Sequence, residues 1–213
     1  MKLRGLLLGA AVALTMAPPA LAERASDGNV SIIYWQAPSI LNPYLSSGTK
    51  DIESSSLVIE PLGRYTETGA MVPYLAKEIP TVANGGVSSD LKSITWKLKD
   101  GIMWSDGSPV TSADVKFTAD YCMNSDMGCA QLAKFDHVTS IDTPDSATVV
   151  VSFAQPMPNP YGPFMGGQSP IIQMAQFENC TGAKAQSCTE QNFGPIGTGP
   201  FVVTEFRPND VIQ

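Results

Sequence analysis

Between Ser93 and Asn124 the spacing of apolar side chains changes once, and that change limits the fold more than any other feature of the chain. In the stretch S-I-T-W-K-L-K, Ile94, Trp96 and Leu98 fall on one face while Thr95, Lys97 and Lys99 fall on the other. That period of two predicts a half-buried strand. From Thr111 the period becomes that of a helix: Val115, Phe117 or Thr118, and Tyr121 with Cys122 share one side of a segment running to Asn124. The join, W-S-D-G-S-P-V-T-S-A-D-V from Trp104, has a structural reason at each polar position. Asp106-Gly107 supplies a tight turn that tolerates positive φ, and Pro109 stiffens the link to the helix. Thr111 to Asp114 fits a capping box, with Asp in place of the usual Glu or Gln. Both aspartates are explained as turn and cap, so neither is assigned chemistry.

Elsewhere the chain punctuates itself with Gly, Pro and Asn. Val30 to Trp35 (VSIIYW) reads as a strand, followed by an extended loop through Pro38 and Asn42-Pro43. Helical spacing begins at Thr49 and continues through Ile52, Ser56 and Ile59, ending at Glu60-Pro61 because proline cannot continue a helix. Gly63 to Pro73 predicts a hairpin around Glu67-Thr68-Gly69, and Tyr74 to Ala76 a helical turn. Val138 to Asp142 and Ala147 to Phe153 predict a second hairpin, after which Ser169 to Met174 is a short apolar stretch. Gly197-Thr198-Gly199-Pro200 reads as a turn entering a strand over Phe201 to Phe206, with Val211 to Gln213 returning beside it. No internal repeat is visible, and the class is mixed α and β.

The first 22 residues have the order of a secretory signal peptide: Lys2 and Arg4, an apolar stretch from Leu6 to Met16, then Ala20-Leu21-Ala22 as the cleavage site. Pro18 and Pro19 cut the stretch short of a membrane span. Cleavage after Ala22 leaves 191 residues with 11 basic and 20 acidic side chains, a net charge of −9. Such a chain is a poor partner for nucleic acid or an anionic lipid surface. The leader predicts export. An export-directed chain can keep disulfides oxidised. Four cysteines, Cys122, Cys129, Cys180 and Cys188, allow three pairings, and the two short spacings favour Cys122 with Cys129 and Cys180 with Cys188. A zinc site is disfavoured, since no C-x-x-C occurs and the single histidine, His137, lies apart from both pairs. No H-E-x-x-H, G-x-S-x-G or Walker sequence is present, so the residues name no catalytic group, metal or cofactor.

The same strand, turn and cap carry a resemblance. S-I-T-W-K-L-K-D-G-I-M followed by W-S-D-G-S-P-V-T-S-A-D-V is similar to the signature of the extracellular solute-binding proteins of peptide ABC importers, a family that includes dipeptide-, oligopeptide- and nickel-binding proteins. L-N-P-Y-L-S-S-G-T from Leu41, V-P-Y-L-A-K-E-I from Val72 and G-P-I-G-T-G-P-F from Gly194 fit the same pattern in the same order. The chain departs from that pattern at Asn84 to Asp90, where the loop is extended, and in its close cysteine pairs. The resemblance implies a periplasmic binding protein type II-like bilobal α/β fold. Only the N-terminal lobe, with a mixed and largely antiparallel subdomain, is expected here, incomplete at the C-terminus. Residues 23–53 and 171–213 are expected in the first lobe and 54–170 in a subdomain inserted into it, with the second lobe beyond Gln213.

The resemblance further implies that Ser47, Gly48 and Thr49 match the stretch that approaches the solute with backbone groups. Glycine allows that approach, although a plain helix cap explains the same residues. Tyr34 and Trp35 are candidates to line the cleft, with burial in the core as the alternative. The implied activity is capture of short peptides and delivery to an ABC permease by a monomeric receptor, without catalysis. Within the family a nickel chelate, an oligosaccharide or an opine could replace the peptide. Outside it, the rivals are a secreted hydrolase with an unrecognised site and a structural exported domain.

Overall fold

The computed structural model describes residues 28–208 and 210–213; the expected signal peptide, residues 1–22, lies outside the described residues. Two units are distinguished, Met1–Ile33 and Tyr34–Gln213. Of the first, the described residues form no helix or strand, and Val30, Ile32 and Ile33 are exposed. The strand expected over Val30 to Trp35 is therefore not formed. Branched and aromatic side chains favour a pleated surface, yet a strand exists only where a neighbour takes its backbone hydrogen bonds. Among the described residues none does so there.

The second unit is built on a three-stranded antiparallel sheet and one long helix. β1 (Gly63–Tyr65) and β2 (Met71–Pro73) form the first hairpin, with Gly69 at φ 81° in its turn. β3 (Ser93–Lys97) pairs with β5 (Thr148–Phe153), which pairs with β4 (Val138–Asp145), giving the order β3-β5-β4. Against this sheet packs α2 (Ser112–Met123). Ile94 and Trp96 from β3, Val149 and Val151 from β5, and Val115, Ala119 and Cys122 from α2 are all fully buried. The predicted alternation and the predicted helical face thus meet in one core. The Trp96 ring stands edge-on to Tyr161, 6.4 Å between centroids.

Shorter elements surround that core. α1 (Thr49–Ser55) stops before the predicted Glu60-Pro61. Three serines explain why: Ser54 donates to the Lys50 carbonyl at 2.7 Å, and Ser55 and Ser56 donate to the Ile52 carbonyl at 3.0 and 2.7 Å. Such back-bonding competes with the helix ladder. Tyr74 to Ala76 is a bend bridging to Leu98, not a helical turn. α3 (Met174–Phe177) and α4 (Thr189–Phe193) come after the buried Ile171 and Ile172. The last strand is shorter than predicted, since only β6 (Phe206–Arg207) pairs with β7 (Val211–Ile212). Disulfides join Cys122 to Cys129 and Cys180 to Cys188, the pairing the spacings favoured.

The two aspartates of the Trp104–Val115 stretch do more than punctuate. Asp106 Oδ1 accepts from the Ser108 amide at 2.9 Å, and Asp106 Oδ2 accepts from Gln173 Nε2 at 2.8 Å. Asp114 Oδ2 accepts from the Thr111 amide at 2.9 Å and the Thr111 hydroxyl at 3.1 Å, closing the cap from the carboxylate side. Its Oδ1 accepts from the Met174 amide at 3.0 Å. Both carboxylates therefore tie the turn and α2 to the start of α3. Replacing Asp114 with Ala strands the amide of Met174 and uncaps α2. The variant is expected to lose about 2 kcal/mol, read as a lower urea midpoint at unchanged m-value.

Candidate functional site

The segment 39–48, ahead of α1, has no regular backbone ladder to hold it. One carboxylate gathers its two ends. Asp51, 1% exposed, accepts at Oδ1 from the Ser39 amide at 2.7 Å and at Oδ2 from the Ser46 hydroxyl at 2.7 Å. Lys50 Nζ approaches both oxygens, at 2.8 and 2.9 Å. Burial pushes the Asp51 carboxyl toward a higher pKa, but hydrogen bonds from Lys50, Ser46 and Ser39 outweigh it and hold the group below its ordinary value. The carboxylate is consequently charged at neutral pH.

Around that anchor the chain presents Ser47 and Thr49 to solvent, with Gly48 half-buried between them. Neither the Ser47 nor the Thr49 hydroxyl has a hydrogen-bond partner among the described residues. Gly48 has ordinary extended angles, φ −70° and ψ 126°, so backbone freedom is not why glycine is needed. A Cβ there would lie 3.0 Å from Asp51 Oδ2 and 3.3 Å from Ser46 Oγ. Glycine allows the loop to close on its carboxylate; the Gly48 amide donates to Ser46 Oγ at 3.1 Å and its carbonyl accepts from the Asp51 and Ile52 amides at 3.0 and 3.1 Å.

The preceding residues are pinned from two directions. Ala130 donates its amide to the Tyr44 carbonyl at 2.8 Å, and Gln131 Nε2 donates to the carbonyls of Pro43 and Ser46 at 3.1 and 3.2 Å. Leu41 donates its amide to the Asn192 carbonyl at 2.8 Å. Asn42 Nδ2 donates to Asn192 Oδ1 at 2.9 Å and to the Tyr121 hydroxyl at 3.0 Å. Burial pushes the Tyr121 phenol up to about 12, so it stays neutral in that contact.

Tyr34 is half-buried and Trp35 is 72% exposed, their rings 5.9 Å apart and steeply inclined. Trp35 is thus no core residue, which removes the alternative reading for it. No hydrogen bond or ring contact among the described residues joins either aromatic to Ser47–Thr49.

A separate cleft of about 410 Å³ lies beyond the other end of α1, bordered by Glu60, Tyr74, Lys99, Met103 and Thr198. None of the five predicted ligand residues lines it. The glycine-rich Gly197–Pro200 stretch runs along its edge, and the glycines are there for packing: a Cβ on Gly197 would collide with the Val58 carbonyl oxygen. The Gly199 amide donates to that same oxygen at 2.8 Å, and the Gly197 carbonyl accepts from the Ser105 amide at 2.8 Å.

Asp51, Gln131 and Asn192 were not singled out from sequence. For Asp51 a signal existed, an acidic residue at the third position of a predicted helix, where a carboxylate serves the helix start. Gln131 and Asn192 carry no local signal, because the groups they serve are distant in sequence.

Residues 70–213 match the family described as bacterial extracellular solute-binding proteins, family 5, middle region. A putative ABC transporter peptide-binding protein of Brucella ovis is 28% identical over 129 residues, which is 60% of this chain and 24% of that protein. Protein XP55 of Streptomyces lividans is 30% identical over 168 residues, 78% of this chain and 28% of that protein. The chain thus spans about a quarter of the length of these relatives. In fold it resembles the oligopeptide-binding protein AppA of Bacillus subtilis, solved with a nonapeptide, at a TM-score of 0.73 and 21% identity over 83% of this chain and 34% of that one. The fold is that of the type II periplasmic binding proteins, of which the chain covers about a third. Among the described residues no helix is long and apolar enough to cross a membrane.

The site yields a pH signature. A carboxyl held below its ordinary value of 3.8 contributes stability that is complete above that value and is lost as pH falls through the lowered folded value. Wild type should exceed Asp51→Asn in urea midpoint by a constant margin at neutral pH. That margin should shrink only once pH drops below the ordinary carboxyl value, in paired denaturation curves.

Proposed function

Given that the chain belongs to the bacterial extracellular solute-binding proteins of family 5, we propose that it captures short peptides in the periplasm and delivers them to an ABC permease. The family match over residues 70–213 carries this reading. Peptides are favoured over a nickel chelate, an oligosaccharide or an opine because relatives of this chain are described as peptide-binding. In this reading residues 1–22 are a cleaved signal peptide. Residues 23–53 and 171–213 belong to the first lobe, and 54–170 form a subdomain inserted into it. The second lobe falls in the part of the relatives' length that this chain does not span. The receptor works as a monomer.

Ser47, Gly48 and Thr49 are the proposed contacts, with Tyr34 and Trp35 as apolar lining. Support comes from two exposed hydroxyls without partners among the described residues, on a loop whose shape is fixed from inside by Asp51. A peptide main chain offers carbonyl and amide groups that such a loop can match. Capture is a population shift: a solute touching both lobes favours the closed form by the difference in its affinity for the two states. The permease then recognises the closed form. The carboxylates of Asp51, Asp106 and Asp114 each accept from a backbone amide, those of Ser39, Ser108 and Met174, which leaves them committed to structure. The reading is therefore of binding without bond breaking.

A single substitution tests the backbone contact. Thr49 is the first residue of α1, where proline is well tolerated, and Gly48 already has the extended angles that precede proline. Thr49→Pro should keep the fold and delete one amide donor. Calorimetric titration of the chain with mixed di- and tripeptides should show wild-type dissociation constants weaker than about 1 μM, since one lobe supplies the contacts. The variant should bind about tenfold more weakly. Equal affinity in both proteins would remove the backbone of Ser47–Thr49 from the site.

A further inference from the structure

Beside the bonds that Asn42 makes to Tyr121 and Ser46 to Asp51, two anchors of the 41–46 segment each come just after a disulfide-closed loop. Past the Cys122–Cys129 loop, Ala130 and Gln131 serve the carbonyls of Pro43, Tyr44 and Ser46, and the Gln131 amide itself lies 3.4 Å from Cys129 Sγ. Past the Cys180–Cys188 loop, the Asn192 amide donates to the Cys188 carbonyl at 3.0 Å, and its side chain donates to the Ala185 carbonyl inside the loop at 2.8 Å. The remaining groups of Asn192 receive Leu41 and Asn42.

Gln131 and Asn192 are 7% and 1% exposed, so their bonds to the segment compete little with water. Within the segment, Asn42 alone supplies local acceptors, its Oδ1 taking the Tyr44 amide at 3.1 Å. Pro43 has no amide to donate, and only one backbone bond, from Leu45 to the Asn42 carbonyl at 3.0 Å, forms inside it. From these contacts we infer that Gln131 and Asn192 are positioning residues, which fix where Ser47–Thr49 stands through bonds to residues 41–46. Gln131 acts at the carbonyl directly before Ser47. Asn192 acts at the segment's entry, and the disulfides hold both side chains in place from behind. The inference rests on the reading of Ser47–Thr49 as the solute-contacting stretch, but the order it assigns to the loop exists without solute.

Amide hydrogen exchange on the full chain, without ligand, separates the two. Gln131→Glu removes the donors to Pro43 and Ser46 at neutral pH while keeping the side chain's shape, and Asn192→Ala removes the acceptor for Asn42. In each variant the amides of Leu45, Gly48 and Ile52 should exchange about tenfold faster, while Val149 and Val151 of β5 stay within about twofold of wild type. Loop exchange unchanged in both variants, or acceleration in β5 equal to that in the loop, would overturn the inference. Trialanine titrated into wild type then reports separately: amide shifts that bypass Ser47–Thr49 count against the proposed contacts and leave the positioning result standing.

Discussion

Irregular backbone can be buried only if its polar groups find partners, and the fold depends on side chains to supply them. The segment 39–48 wraps a charged carboxylate; two more tie the Asp106-Gly107 turn and α2 to the start of α3. In each case the acceptor is a short acidic side chain that ties down chain with no ladder of its own. A carboxylate accepts several such bonds at once, each stronger than a neutral pair. Three aspartates and two amide side chains therefore do for the loops what hydrogen-bond ladders do for β3, β4 and β5.

Local pattern was legible wherever the stabilising contacts were local. The alternation of Ile94, Trp96 and Leu98, the Asp106-Gly107 turn and the cap at Thr111–Asp114 all emerge as read, because each is decided within a few residues. The cysteine pairs belong with them, since each closes a short loop. Val30 to Trp35 shows the opposite case, in which composition suits a strand but no described neighbour takes its bonds. The end of α1 was misplaced because three serines compete with the helix before proline can stop it.

The candidate loop was half legible. Ser47, Gly48 and Thr49 were picked out by resemblance, but what shapes them was not. Asn42 meets Asn192 across 150 residues of sequence, and Gln131 reaches back 88 residues to Pro43. No periodicity encodes such pairs. Two glycines also serve packing that no local pattern shows: Gly48 makes room for a buried carboxylate, and Gly197 for the Val58 carbonyl.

The result is an exposed stretch on a support fixed by buried polar contacts, an arrangement suited to recognising a main chain without reshaping on contact. Its central claim is most directly tested by intermolecular nuclear Overhauser effects between trialanine and the chain. The account predicts cross-peaks from the peptide methyls to the amides of Ser47, Gly48 and Thr49. Cross-peaks confined to Tyr74, Met103 and the cleft they border would contradict it.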